Sequence, residues 1–253
     1  MSRRIPLRDS FAARVIAWQR RCGRRDLPWQ NTRDAYRIWL SEVMLQQTQV
    51  ATVLPYFTRL VSEFPTVGAL AAAPLSRVLE LWSGLGYYRR AHHLHAAART
   101  VADRHAGRFP SDAATLATLP GIGRSTAAAI AAFAGDERGA ILDGNVKRVL
   151  ARHRGIDGWP GAPRVEAGLW RVAEALLPDA ANGASNAIAA YTQGMMDIGA
   201  TICTRSRPHC DACPVNDDCI ARRDGRVDSL PSPRPRKALP QRSVAVLLLE
   251  RNG

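Results

Sequence analysis

LPGIGRSTAAAIAAFAGDERGAILDGNVKRVLA, residues 119–151, holds two features around which the rest of the chain can be read. The opening LPGIG separates two helical patterns. Pro120 fixes one dihedral, and Gly121 and Gly123 permit a tight hairpin whose amides face outward. The helix that follows starts near Arg124, so its unsatisfied N–H groups and positive dipole end point at whatever lies over the turn. A phosphate suits that place. Further on comes LDGNVKRVLAR, with Asp143 at a helix N-cap position and Lys147 one turn beyond. By spacing alone this is either an anion cradle followed by a working carboxylate, or a helix–turn–helix with an ordinary aspartate cap.

Composition narrows the partners. The chain has 253 residues, 46% of them apolar, enough to bury a real core in two modest domains and too many for a disordered chain. It carries 35 basic against 22 acidic residues, a net +13, which favours an anionic partner: nucleic acid or a membrane surface. Nearly all of the basic residues are arginine; only Lys147 and Lys237 are lysines, which limits where amine chemistry can occur. Genomic base composition accounts for such a bias, so no phosphate recognition is read from it. The longest apolar run, VAVLLL at 244–249, is too short to span a bilayer, and no targeting segment is apparent. A soluble, monomeric, cytoplasmic protein with no membrane partner is expected, associated with a bacterial-type nucleoid if the anion is DNA.

Helical periodicity runs through 8–21, 34–48, 50–63, 65–74, 75–82, 88–105, 111–120, 124–134, 144–154, 164–177 and 184–200. The fold class is therefore all-α through about residue 222. Residues 224–242 form a Pro- and Arg-rich linker. SVAVLLLE, at 243–250, reads as a first buried strand with no partner after it.

Four of the five cysteines cluster. Cys203, Cys210, Cys213 and Cys219 have the spacing C-x6-C-x2-C-x5-C. In a reducing compartment four thiolates so close suit a metal, either a cubane iron–sulfur cluster or tetrahedral zinc. Cys22 lies outside the group and reads as a small buried residue. Arg205, Arg207, Arg222 and Arg223 flank the loop, either as a backbone-binding surface or as a solvated basic face.

Glu42 interrupts the apolar stripe of Ile38, Trp39 and Leu45. Desolvation there would raise its pKa and make it a general acid near neutral pH; the other reading is a stripe-edge glutamate reaching solvent. Asp143, beside a helix N-terminus and Lys147, is expected to have a low pKa. One protonated and one ionised carboxyl group is what cleavage of a glycosidic bond needs. Gln46, Gln47, Thr48 and Gln49 follow Glu42 and suit hydrogen bonding to base edges, or an exposed helix end.

Several stretches together resemble the helix-hairpin-helix DNA glycosylases, and most closely the MutY-type adenine glycosylases. They are LPWQ at 27–30, WLSEVMLQQTQVATVLPYF at 39–57, LWSGLGYYRRAHHLH at 81–95, LPGIGRSTAAAI at 119–130, ILDGNVKRVLAR at 141–152 and ICTRSRPHC at 202–210. The resemblance implies a six-helix barrel with the hairpin over 31–142, and a cluster domain from 1–30 and 143–222. Residues 223–253 would be a linker and the start of a shortened C-terminal domain. It implies double-stranded DNA carrying A·8-oxoguanine or A·G mispairs as partner, with adenine flipped into the cleft. Glu42 would protonate the base; Asp143 would stabilise the cationic sugar, with Asn145 and Ser125 in support. Arg25, Trp29 and Gln30 would line the base pocket, Tyr87 and Gln47 would enter the stack, and Gly121, Gly123 and Lys147 would meet the backbone. The four cysteines would hold a structural 4Fe–4S cluster, with zinc as the alternative.

Two departures matter. Endonuclease-III-type relatives have a lysine after the hairpin arginine that forms a Schiff base with the sugar; here Ser125 follows Arg124, and a hydroxyl cannot form an imine. The expected enzyme is a monofunctional glycosylase. MutY-type proteins also continue into a Nudix-like domain that inspects 8-oxoguanine. SVAVLLLERNG resembles only its first strand, so weaker discrimination of the oxidised guanine is expected. The alternatives are a weakly active or non-catalytic iron–sulfur DNA-binding protein, and a thymine glycosylase or endonuclease-III-like lyase.

Overall fold

The computed structural model describes residues 10–179 and 186–235. Short polar caps start many of its helices. Ser10 accepts from the Ala13 amide at 3.2 Å and opens α1 (Phe11–Cys22); Asp34 accepts from Tyr36 at 3.0 Å and opens α2 (Ala35–Leu45). After α3 (Val50–Glu63), Thr66 caps α4 (Val67–Ala72). Then come α5 (Leu75–Trp82), α6 (Arg89–Arg104) and the single turn α7 (Ala113–Leu116), capped by Asp112. Such caps satisfy the amides that a helix start leaves without an internal partner. The hairpin leads into α8 (Arg124–Gly135), followed by α9 (Gly144–Arg154), α10 (Pro163–Ala175) and α11 (Ala187–Asp197). A π-helical turn, Ile198–Ile202, carries α11 into the cysteine loop, which contains a 3-10 turn, Cys210–Ala212, and ends in α12 (Ile220–Arg223).

There is no strand among the described residues, and the chain is all-helical there. The strand expected at 243–250 lies outside them. The helix expected over 34–48 ends at Leu45, because the chain leaves helical geometry and Gln47 adopts φ 58°. Cys22 corrects an expectation: it is exposed at the end of α1 rather than buried.

Two hydrophobic cores form. The first gathers Trp39, Leu40, Met44, Leu60, Leu70, Trp82 and Leu94 from α2 to α6. The second gathers Phe11, Val15, Leu142, Val146, Leu150, Leu169 and Met195 from α1 and α9 to α11. Helix α8 belongs to both: Ala127, Ile130 and Ala131 face the first core, Ala128 and Ala129 the second. Its sequence TAAAIAAFA is apolar on every side, as a helix buried between two layers must be. Its small side chains let α2 approach from one side and α11 from the other. The catalytic candidates on α2 and α9 are brought together by this shared wall.

The hairpin is anchored by Leu119 and Ile122, both buried in the first core. Gly121 sits at φ +77°, and a Cβ there would lie 2.7 Å from the Cβ of His93 on α6, so both backbone and space require glycine. Gly123 differs from expectation. Its φ is −89°, and an added Cβ would meet nothing, so the turn does not need it to be glycine. Gly121→Ala is expected to cost about 2 kcal/mol or more, and Gly123→Ala less than about 1 kcal/mol through the altered N-cap. Thermal melts of the two variants would check the ordering.

Candidate active site

A cavity of about 780 Å³ opens where α2, α11 and the 19–33 segment meet. Arg25, Trp29, Gln30 and Glu42 all line it, so four of the sequence candidates converge on one space. Ser41, Gln193 and Met196 complete nearby wall. Trp29 is held edge-on against Phe57, with ring centroids 5.1 Å apart. Gln30 folds back so that its Oε1 accepts from the Leu27 amide at 3.2 Å, while its Nε2 is buried without a partner. That amide nitrogen offers an unused donor beside the cavity.

Glu42 stands on α2 at the inner end of this space. Its carboxyl is surrounded by protein yet keeps a face towards the cavity. Burial pushes its pKa up to about 8, and the nearby Asp143 carboxylate pushes the same way. The sequence expectation of a raised pKa holds, for the reason proposed.

Asp143 corrects the companion expectation. It is the N-cap of α9, with Oδ1 accepting from the amides of Asn145 at 2.6 Å and Val146 at 3.0 Å. Those bonds, with Arg148 and Lys147, favour the anion, yet burial outweighs them and its pKa too is raised. Two buried carboxyl groups that feel each other titrate as a pair. The sequence view had counted the cap and the lysine but had no measure of burial. Lys147 also points elsewhere: its Nζ pairs with Glu166 Oε1 on α10 at 2.8 Å rather than with Asp143.

The supporting side chains are tied in from both cores. Ser125 Oγ accepts from the Leu142 amide at 2.9 Å, joining the start of α8 to the strand of backbone that delivers Asp143. Asn145 Oδ1 accepts from Arg148 Nη2 at 2.9 Å; Arg148 also donates to Gly199 O at 2.5 Å and Cys203 O at 2.7 Å. Gly199 lets the π-helical turn close on Asn145, where a Cβ would come within 2.6 Å. Sequence reading missed Arg148, and also Arg24 and Asp197. Asp197 is fully buried and accepts from Arg24 Nε at 2.7 Å, from the Arg24 amide at 3.0 Å and from Gln193 Nε2 at 2.9 Å. That clamp fixes the loop carrying Arg25 to the end of α11. Only an acidic residue at the end of a mostly apolar helix signalled it.

Gln47 and Tyr87 lie outside the cavity, on two exposed loops, with φ of 58° and 49°. Tyr87 is 60% exposed, unusual for so large a ring. Arg124 does not reach into the site but lies over the Trp170 ring, 4.0 Å from its centroid, and pairs with Glu174.

The four cysteines all line a second pocket, with Ile202, Val215, Val149 and Arg152 around them. Burial raises the Cys213 thiol to about 11 and raises Cys219 as well, with the neighbouring cysteine sulfurs adding to both shifts. Thiols in this setting ionise at neutral pH only if a cation joins them, so the donor set fits a metal group. Of the flanking arginines, Arg222 pairs with Asp211 and Arg223 with Asp224, while Arg205 and Arg207 are exposed.

Residues 40–175 match the family model for HhH-GPD superfamily base excision DNA repair proteins. The chain belongs to this superfamily. Residues 203–219, the cysteine loop, match the iron–sulfur binding domain of endonuclease III. An adenine DNA glycosylase of Buchnera aphidicola (Acyrthosiphon pisum) is 41% identical over 232 residues, 92% of this chain and 65% of that protein. The rat adenine DNA glycosylase is 44% identical over 88% of this chain and 44% of its own length. The chain thus spans less than two thirds of these curated relatives. Among solved structures, a thermostable thymine-DNA glycosylase superposes with a TM-score of 0.73 at 27% identity, covering 85% of this chain and 95% of that one. Among the described residues no helix is long and apolar enough to cross a membrane.

Burial of Glu42 has a consequence for stability. With its pKa moved from 4.5 to about 8, the folded protein holds a proton that the unfolded chain releases. The stability that this proton contributes is complete below the unfolded value and is lost as pH rises through the folded one. Glu42→Gln removes the titration. The variant should match the parent in melting temperature near pH 4.5 and exceed it by several degrees at pH 9, as read by thermal melts across pH.

Proposed function

We propose that this chain is a monofunctional adenine DNA glycosylase acting on adenine paired with 8-oxoguanine or guanine in duplex DNA. The observation that carries the reading is Glu42, a carboxyl group whose pKa burial pushes up to about 8, lining a cavity of about 780 Å³ and feeling the nearby Asp143 carboxylate. At neutral pH Glu42 is protonated and donates to a ring nitrogen of the flipped adenine. The N-glycosidic bond then breaks with its electron pair leaving on the base. Asp143, as the ionised partner, stabilises the cationic sugar. Its Oδ1 is committed to two backbone amides, which leaves the other oxygen for that role. Water adds to the sugar carbon and an abasic site results. Trp29 stacks on the base and Arg25 and Gln30 address its edges, with the unpaired Gln30 Nε2 supplying a donor. Ser125 fixes the segment before Asp143 to the start of α8, and Asn145 ties α9 to the π-helical turn through Arg148. The free amides at the start of α8, uncapped by any side chain, take a phosphate beside Gly121 and Gly123. Lys147 would meet the DNA backbone only by exchanging its Glu166 partner for a phosphate. Gln47 and Tyr87 enter the stack from their exposed loops.

The relatives named adenine DNA glycosylase support the choice of base, and Ser125 supports excision without strand cleavage. The two cores support a division into two parts that share α8, but not bounds at 30 and 142: Trp29 packs in the first core and Ala140, Ile141 and Leu142 in the second. A 4Fe–4S cluster is the proposed metal group, held by Cys203, Cys210, Cys213 and Cys219. The four thiols line one pocket. The match of residues 203–219 to the iron–sulfur binding domain of endonuclease III supports iron and sulfide over zinc. Cys203, Cys210, Cys213 and Cys219 would hold the cluster, which would cross-link the loop between the π-helical turn and α12. A monomer in the compartment that holds the DNA completes the reading.

Labelled duplexes containing A·8-oxoguanine, A·G or T·G, treated with protein and then alkali, test it. Alkali-dependent breaks at adenine in the two adenine mispairs are expected, with none at T·G and no adduct trapped by borohydride. Thymine release or breaks without alkali would favour the lyase alternative; no breaks at all would sink the activity. Glu42→Gln should lower single-turnover excision by about 10²–10⁴-fold with duplex binding retained. In the parent the rate should fall as pH rises through about 8, where the acid loses its proton. Iron and sulfide analysis against zinc tests the cluster.

A further inference from the structure

The loops of Gln47 and Tyr87 are far apart in sequence and both are strained. Neither residue is glycine, and positive φ at such positions costs on the order of 1 kcal/mol or more unless the surroundings impose it. One side chain touches both loops. Arg90, in the first turn of α6, is 8% exposed. Its Nη1 donates to Val43 O at 3.2 Å, Met44 O at 2.7 Å and Gln46 O at 2.5 Å. Its Nη2 donates to Thr48 Oγ1 at 3.0 Å, and more loosely to Leu85 O at 3.4 Å and Gly86 O at 3.3 Å. The guanidinium also stands 5.3 Å from the Trp82 ring centroid and 5.4 Å from that of Tyr87 itself. Trp82 Nε1 donates to Gly86 O at 3.0 Å, which tightens the second loop where Arg90 holds it least.

Among the described residues no carboxylate pairs with Arg90; carbonyl oxygens, a hydroxyl and two rings meet a buried cation. Two of those carbonyls, Val43 and Met44, are at the C-terminal end of α2, where the helix dipole favours a cation. The same helix carries Glu42, the residue immediately before Val43. A planar fork with donors in fixed directions can hold several carbonyls on two loops at once; an ammonium cannot.

We propose that Arg90 is a positioning residue for nucleotide flipping: it sets the loops of Gln47 and Tyr87 at a fixed separation, so that both side chains enter the base stack together, in register with the acid on α2. This rests on the glycosylase reading above. Arg90 itself has no role in bond cleavage. The model therefore separates two effects: loss of Arg90 impairs extrusion of the base, while binding to undamaged duplex, which draws on the hairpin and the basic surface, persists.

The test uses the full chain with Glu42→Gln, so that no base is lost, and a duplex with 2-aminopurine at the target position opposite guanine. Its fluorescence rises when the base leaves the stack. Adding Arg90→Lys should abolish most of that rise, and in the Glu42 parent Arg90→Lys should slow single-turnover excision at saturating DNA by roughly 100-fold, the scale of a one-ångström misplacement. Affinity for undamaged duplex and iron content should stay as in the parent. Thr48→Val removes one bond of the set without unburying anything and should slow excision by roughly fivefold to tenfold. A full fluorescence rise and parental rate in folded Arg90→Lys overturn the proposal; should that variant not fold, the same result in Thr48→Val does so. A parallel loss of flipping and of undamaged-duplex affinity would mark Arg90 as a support of the fold only, and overturns it too. If Glu42→Gln with Arg90 intact gives no rise, the glycosylase reading fails first, which distinguishes the two failures.

Discussion

The coupling between Glu42 and Asp143 is the constraint that the surrounding structure serves. A carboxyl group in a protein interior resists ionisation, and a second one nearby increases that resistance. Glu42 is therefore an acid that keeps its proton near neutral pH, while at Asp143 two amides of α9 oppose the burial that raises its pKa. Holding both in place needs two helices, α2 and α9, each packed in a different core. Helix α8 makes that possible: its alanines face both cores, and Ser125 at its start binds the backbone just before Asp143.

Buried arginines supply much of the remaining order. Arg90 ties the end of α2 to the loop before α6, and Arg148 ties Asn145 to the π-helical turn and to Cys203. Arg152, 3% exposed, donates to Thr204 O at 2.7 Å, Arg205 O at 3.1 Å and Leu230 O at 2.8 Å. Each binds carbonyls of irregular backbone, which would otherwise be buried without partners. The arginine richness of the chain has a structural component that composition alone concealed. It also links the cysteine loop to the site, since residues on one face of α9 touch both.

Much of the fold was legible because it rests on local rules. Asp34, Thr66, Asp112 and Asp143 cap helices where side-chain chemistry says they should. Glu42 was visible as a charge on an apolar stripe, and the cysteines by their spacing. The misses share one physical origin. Asp143 was expected to have a low pKa because cap and lysine are local, whereas the burial that raises it comes from the meeting of two cores. Lys147 turned to Glu166, a residue on a different helix. Cys22 is exposed because α1 presents that face to solvent at its end.

By itself the sequence determined which segments are helical, where the hairpin turns, which four thiols form a set, and which two carboxyl groups stand out. These depend on dihedral preference, periodicity and spacing, all properties of neighbouring residues. Only the tertiary structure decided that Glu42 shares a cavity with Arg25, Trp29 and Gln30, and that Asp143 is desolvated enough to couple to it. It also decided that Arg90 reaches both exposed loops. Desolvation and long-range hydrogen bonding depend on which surfaces meet, and chain order does not specify that one residue at a time.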